Sequence, residues 1–388
     1  MKALSGIALA VSFLVAPYVQ AQEPIKIGFV AELSGPQGVL GTDQYDAFML
    51  AVEANDGKLG GVPVQIFKED SMLKPEIGVQ AVQKLIEREG VQIITGVTFS
   101  NIMMAILKPV TEKEVFLIGS NGGPAPAAGA ECSPYLFMTS WQNDMQSEVV
   151  GKYASEQGYK KVIAMAPNYQ AGKDYINGFK RYFSGEVIDE IYTPLNQPDF
   201  SAELTRVAAE QPDAVFIFYP GGLGINFVRQ YHQLGLGKTI PLLTTATMDG
   251  TTLPAMKEAA LGVKTGTYWS PDLAVPANVQ FIKDFQEKYN RLPSQYAAQS
   301  YDAALLLDSA IAKVGGNLTD KQAFMTALKA ADFQSTRGDF RFGNNNFPIQ
   351  NLYMLEAAKD ADGNIALKTI ATPLKDHQDA YHDQCAMK

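Results

Sequence analysis

An α/β fold of two similar lobes is predicted by three observations. From Ile25 onward, short β-branched or aromatic runs alternate with longer stretches of helical period, most of the short runs are apolar on both faces, and the alternation runs twice. Strands apolar on both faces belong to parallel sheets covered by helices. The first round covers residues 25–118 and the second 161–244, with 136–143 extended between them.

Strands are expected at 25–30, 62–67, 91–95, 115–118 and 136–139, then at 161–165, 187–191, 214–219, 240–244 and 265–269. Between them lie amphipathic helices at 44–54, 74–89, 101–112, 145–156, 173–183, 202–210 and 225–233. In the second of these, Pro75 suits a first turn, and Ile77, Val79, Val82, Leu85 and Ile86 fall on one face. After Trp269 the pattern turns to long helices at 279–289, 301–314 and 321–330, and then to strands at 340–342, 352–358 and 365–370. A late return to strands implies that the chain recrosses between lobes, near 140–143, 270–272 and 342–346. Lobe one is therefore expected to hold residues 22–140 plus 272–342, and lobe two 141–271 plus 343–373, with a tail at 374–388. Between two sheets joined by crossing strands lies a cleft, a preferred place for a small molecule.

The 388 residues are 46% hydrophobic and 19% charged, which excludes a disordered acidic chain, and the net charge of -9 disfavours nucleic acid as a partner. The N-terminus has one lysine, Lys2, an apolar run over 7–16 and the small-residue pattern Val19-Gln20-Ala21. This reads as a signal peptide, residues 1–21, cut after Ala21, and so as export in soluble form. Cys132 and Cys385 are the only cysteines, and an oxidising compartment permits one bridge between them; two free thiols are the alternative.

Catalytic chemistry is thinly provided. The three histidines are His232, in a helix, and His377 and His382, in the acidic tail, so a histidine-based triad is not expected. No phosphate-cradling loop can be read, and no cofactor is expected: Gly222-Leu223-Gly224-Ile225-Asn226-Phe227 opens a helix after a strand but puts Phe227 where a dinucleotide site needs a small residue. The tail offers histidine and carboxylate, yet its spacing matches no structural metal site, and a solvated acidic tail is the simpler reading. No metal is expected.

The loops at the carboxyl ends of the strands are more informative, because ligands sit there in open parallel sheets. In the first lobe they read Leu33-Ser34-Gly35-Pro36-Gln37-Gly38, Gly96-Val97-Thr98-Phe99-Ser100-Asn101 and Gly119-Ser120-Asn121-Gly122-Gly123-Pro124, rich in glycine, hydroxyl and amide and poor in charge. Such loops opening helices present unpaired N–H groups that suit a carboxylate. Phe99, Ser100, Ser120, Asn121 and Gly122 are the candidates, Ser100 serving as a donor, as an N-cap, or as both. The second lobe offers rings and hydroxyls, in Asn168-Tyr169-Gln170-Ala171-Gly172, Tyr219-Pro220-Gly221-Gly222 and Thr245-Ala246-Thr247-Met248-Asp249. Trp141, Tyr169, Tyr219, Thr247 and Trp269 complete the candidate site, each ring having core packing as its alternative.

At these loops the sequence resembles the type I periplasmic substrate-binding proteins of ABC importers, in the branched-chain amino acid (Leu/Ile/Val-binding) family. The likeness spans about 25–370 and rests on the order of elements, on the three loops above, and on Asn168-Tyr169-Gln170-Ala171-Gly172-Lys173-Asp174. It implies two Rossmann-like lobes, joined by crossing hinge strands, that close on a small solute and deliver it to an inner-membrane ABC permease, the receptor acting as a monomer. The family's amino-acid binders hold the carboxylate with a serine, matched by Ser100, and a threonine, whose place Gly122 takes; their ammonium-binding acid falls near Ala246 or Thr247, with Asp249 the nearest carboxylate. A buried cation without a counter-charge is costly. The resemblance and the ring-rich walls therefore point to an aromatic carboxylate, benzoate- or hydroxycinnamate-like, with an α-amino acid receptor or the ligand-sensing subunit of a regulator as alternatives.

Overall fold

A computed structural model describes residues 23–387; the expected signal peptide, residues 1–21, lies outside the described residues. The chain begins with β1 (Ile25–Ala31), α1 (Gly38–Ala54), β2 (Lys58–Leu59), β3 (Val62–Asp70), α2 (Pro75–Lys84), β4 (Ile93–Gly96), α3 (Ser100–Thr111), β5 (Phe116–Gly119), α4 (Ala125–Ala128) and β6 (Leu136–Met138). These strands form one sheet in the order β2-β3-β1-β4-β5-β6, parallel apart from the β2–β3 hairpin.

Then come α5 (Asn143–Glu156), β7 (Lys161–Pro167), α6 (Gln170–Tyr182), β8 (Glu186–Thr193), α7 (Ser201–Glu210), β9 (Ala214–Phe218), α8 (Gly221–Gln233), β10 (Leu242–Thr245), α9 (Leu253–Met256) and β11 (Lys264–Thr267). After these the chain forms α10 (Pro276–Tyr289), α11 (Gln295–Lys313), α12 (Lys321–Ala330), β12 (Arg341–Phe342), β13 (Pro348–Lys359) and β14 (Ile365–His377). The second sheet runs β12-β13-β11-β10-β9-β7-β8, with β14 antiparallel to β13. Its centre is parallel, and β13 returns antiparallel against β11.

The apolar strands are legible because both sheet faces are covered. Ile27, Phe29, Ile93, Ile118 and Phe137 face a core shared with Ala303, Leu307 and Ile311 of α11 and Phe324 of α12, so the helices after the second sheet return to the first. Ile163, Val215 and Ile217 face a second core with Leu204, Phe227 and Val228. A third apolar cluster runs through the molecule from Val30 to Met354 and includes residues of both sheets.

Several helices begin earlier than their apolar period announces: α1 at Gly38, α6 at Gln170, α8 at Gly221 and α11 at Gln295. Their first turns are polar or glycine-rich, because they leave the strand ends directly. The lobes touch across the cleft. Gly221 has φ +56°, and a Cβ there would come within 2.1 Å of Gln37 Oε1 from the opposite lobe.

The tail is the solvated acidic segment expected at Asp376 and Asp383, which are exposed, but not at Asp379. The final strand continues past residue 373 to His377, and Asp379 is buried, accepting from Asn345 Nδ2 at 2.9 Å. Tyr381 donates its hydroxyl to Asp144 Oδ2 at 2.9 Å, and Cys385 is bonded to Cys132. Asp379 and Tyr381 are taken up by the junction between lobes.

Substituting Cys385→Ser is expected to destabilise the protein by about 2–4 kcal/mol, since the bridge closes a long loop. Urea unfolding with and without reductant checks this; an unchanged midpoint would mean that packing alone holds the tail.

Candidate functional site

Three first-lobe strand ends and three second-lobe elements converge on one hollow, about 310 Å³ of space between atoms with its mouth included. Its wall is Leu40, Thr98, Phe99, Ser100, Asn121, Gly122, Trp141, Asn143, Tyr169, Ala171, Tyr175, Phe218, Pro220, Ala246 and Tyr296. None of these side chains is charged. Six are aromatic, and several stack: Tyr175 on Phe218 at 4.0 Å between centroids, and Tyr169 on the other part of the same wall at 6.2 Å from Phe218.

Ser100 is the first residue of α3, not its cap; Phe99 holds the cap position and supplies no side-chain hydrogen bond. The cap role weighed for Ser100 is therefore replaced by a role at the helix N-terminus, with its first-turn amides uncapped by any side chain. Its Oγ accepts from Asn143 Nδ2 at 3.0 Å. Asn143 Nδ2 also donates to Asp174 Oδ2 at 2.8 Å, and Asn143 Oδ1 accepts from the Gly123 N–H at 3.2 Å. Trp141 Nε1 donates to the Tyr175 hydroxyl at 2.9 Å. Burial raises the Tyr175 phenol well above its usual value, so it remains a neutral donor.

Behind the wall, a polar network fixes the loops. Thr98 Oγ1 donates to Gln44 Oε1 at 2.7 Å and accepts from the Glu32 N–H at 3.0 Å. Asn121 donates to the Thr98 carbonyl and accepts from Gln299 Nε2 at 2.7 Å, so its amide is occupied in holding the loop. Burial, first of all, pushes the Glu32 carboxyl up to about 7, with the nearby Asp70 adding to it. It likewise pushes Asp144 up to about 7, Asp174 being the next cause.

Of the ten residues expected at the site, Phe99, Ser100, Asn121, Gly122, Trp141 and Tyr169 line the hollow; Ser120, Tyr219, Thr247 and Trp269 do not. The difference has one physical reason at two strand ends, while at the third Ala246 turns into the left-handed region with φ +47°. Successive side chains point to opposite faces. Phe218 lines the hollow, whereas Tyr219 packs on Phe200 and Phe227 and its hydroxyl accepts from Thr193 Oγ1 at 3.1 Å. Ala246 lines it, whereas Thr247 donates to the Thr245 carbonyl at 3.0 Å. Tyr268 lies 4.9 Å from the Trp141 ring, whereas Trp269 turns away and donates to Asn278 Oδ1 at 2.7 Å. Ser120 is sealed behind the wall, accepting from Gln44 Nε2 at 3.0 Å. Asp249 lines a different cavity with Trp269, and Thr251 N–H and Oγ1 both donate to its Oδ1.

Sequence reasoning missed Asn143, Tyr175, Phe218 and Tyr296. The polar Trp141-Gln142-Asn143 step between the lobes was a signal for the first; the rings sit within regular elements, where nothing local separates wall from core.

A hollow of rings and neutral donors between two sheets has the geometry of a solute-binding receptor. The chain belongs to the periplasmic binding protein family, whose sequence profile matches residues 24–364. Among curated relatives, the Leu/Ile/Val-binding protein homolog 6 of Brucella melitensis is 29% identical over 96% of this chain and 97% of its own length. Among solved structures, an ABC transporter solute-binding protein from R. palustris in complex with benzoate is 29% identical, with a TM-score of 0.89 over 94% of this chain and 100% of that one. A solute-binding protein of an ABC transporter from Rhodopseudomonas palustris BisB5, in complex with 3,4-dihydroxy benzoic acid, is 28% identical, with a TM-score of 0.84 over 91% and 98%. The family is periplasmic.

Two outcomes follow from the wall and the network behind it. A Cβ at Gly122 would lie 2.8 Å from the Phe99 carbonyl carbon and 2.9 Å from the Ser100 nitrogen, both backbone. Gly122→Thr is therefore expected to displace the start of α3, lowering the thermal midpoint and failing to create leucine binding in calorimetry. Glu32 is protonated more readily folded than unfolded, so its contribution favours the fold at low pH and is lost as pH rises from its ordinary 4.5 through about 7. Glu32→Gln stays neutral, and its thermal midpoint relative to the unaltered protein should rise between about pH 5 and about pH 8.

Proposed function

We propose that this protein captures a small aromatic carboxylate, benzoate- or hydroxycinnamate-like, and delivers it to an inner-membrane ABC permease, working as a monomer once residues 1–21 are removed. The observation that carries this reading is the wall itself: six rings, no charged side chain, and the Ser100 hydroxyl at an uncapped helix N-terminus. A carboxylate there gains charge-assisted hydrogen bonds, each contributing about 1.5–3 kcal/mol, and the positive end of α3 adds to them. The ligand's ring is accommodated between Tyr169, Tyr175, Phe218 and Trp141, where ring pairs add about 0.5–1.5 kcal/mol beyond burial. The benzoate and dihydroxybenzoate bound by the two R. palustris proteins support the same class.

The name of the Brucella relative favours a second reading, an α-amino acid receptor. An ammonium group in this hollow would meet no carboxylate in the wall, and Asp249 lines another cavity. That arrangement weighs against a zwitterion.

Isothermal calorimetry against benzoate, 4-hydroxybenzoate, a hydroxycinnamate, leucine and valine tests the reading. Binding of an aromatic acid with no response to leucine is the expected result; tight leucine binding with no aromatic response overturns it. Ser100→Ala should weaken the aromatic acid by about 1–3 kcal/mol in the same experiment.

A further inference from the structure

Asn143 belongs to the second lobe at the start of α5, yet it reaches across to the first. Its backbone N–H donates to the Gly123 carbonyl at 2.8 Å, and its Oδ1 accepts the Gly123 N–H in return. Its Nδ2 carries two protons, and both are placed, one on Ser100 Oγ at 3.0 Å and one on Asp174 Oδ2 at 2.8 Å. Turning the amide over would set Oδ1 against the Asp174 carboxylate and Nδ2 against the Gly123 N–H, two repulsive contacts. The orientation of the amide is therefore determined by its surroundings.

Asp174 is itself held. It accepts from the Ala125 N–H of the first lobe at 3.1 Å and from Gln170 Nε2 at 2.7 Å, and it is 2% exposed. The chain of bonds thus runs from the second lobe's Asp174 through Asn143 to the first lobe's Ser100, and it is complete only with the lobes together.

The consequence falls on the serine. One lone pair of Ser100 Oγ is engaged by Asn143, and among the described residues its hydroxyl donates to no protein acceptor. The remaining proton is available to the hollow, whose wall Ser100 shares. A ligand bringing an acceptor completes the serine; a ligand bringing only donors leaves a buried O–H unpaired and meets no anion.

We propose that Asn143 is a positioning residue that sets the polarity of the Ser100 hydroxyl, and so makes the hollow select acceptor-bearing, anionic head groups over donor-bearing, cationic ones. This rests on the aromatic-acid reading and deepens it, by naming what enforces the sign of the head group.

Benzoate and benzamidine are the probes, since they share a planar benzene frame while one head group only accepts and the other only donates. Calorimetry of both is run on the full mature protein, on Asn143→Leu and Asn143→Asp, and on each of these combined with Ser100→Ala. Asn143→Leu is expected to weaken benzoate about tenfold with Ser100 present and less than about twofold in the Ser100→Ala background, because the effect passes through the serine. With Asn143→Asp the new carboxyl and Asp174 hold one shared proton between their facing oxygens, and the facing oxygen of the new carboxyl still accepts the serine proton, so benzoate should weaken at least about tenfold and benzamidine binding should appear, to be lost again when Ser100→Ala is added. Equal losses of benzoate with and without Ser100, or a benzamidine gain that survives Ser100→Ala, overturns the inference. Should Asn143→Leu fail to fold, the isosteric Asn143→Asp pair decides alone. Failure of the unaltered protein to bind any aromatic acid defeats the functional reading instead, which keeps the two failures apart.

Discussion

Enclosing an ion between two protein surfaces removes the water that stabilised it, and the loss is tolerable only where hydrogen-bond donors already stand in position. The wall of this hollow meets that requirement without a cation, through a serine, buried phenols and the amides opening α3. Neutral donors have a compensating benefit: emptied, they leave no bare charge in a low-dielectric cleft. The rings around them then supply apolar contact without competing for the head group.

A buried ion pair lies instead where the chain crosses between lobes. The Arg337 side chain, 4% exposed, pairs with Asp302 at 3.0 Å and donates to the Thr139 carbonyl at 2.6 Å, the Ser140 carbonyl at 3.2 Å and Gln350 Oε1 at 2.8 Å. One guanidinium therefore ties together a crossing segment, the long helix α11 and strand β13. Arg291 is paired with Asp43 and Asp46, so that the loop before α11 is held against α1. A buried pair such as Arg337–Asp302 contributes little net stability compared with apolar packing, but leaving one partner alone is expensive, and this penalises any other arrangement of the crossing it holds.

Most of the architecture was legible because strands covered on both faces carry an unmistakable apolar signature, as in Ile93–Gly96 and Ala214–Phe218. The recrossing could be inferred from strands reappearing after the long helices. At the site, loops that open helices identified Phe99, Ser100, Asn121 and Gly122, since glycine and short polar residues there have few structural uses. Where a strand ends, however, adjacent residues face opposite sides, and sequence does not mark the last residue of the pleat. Choosing Tyr219 over Phe218, or Trp269 over Tyr268, moves a ring through the sheet. Tyr296 was hidden for another reason: α11 is buried along much of its length, so a wall residue and a core residue share one periodicity.

The C-terminal segment has a mechanical meaning. It leaves the second sheet at His377, lays Tyr381 against Asp144, and is anchored covalently at Cys132 in the loop before β6 of the first sheet. Eight residues of fully extended chain reach at most about 29 Å. Adding the 5.6 Å between the bridged Cα atoms, this flank can part no further than about 34 Å even with every noncovalent contact broken, so the segment is a leash that sets the widest gape through which a solute enters or leaves.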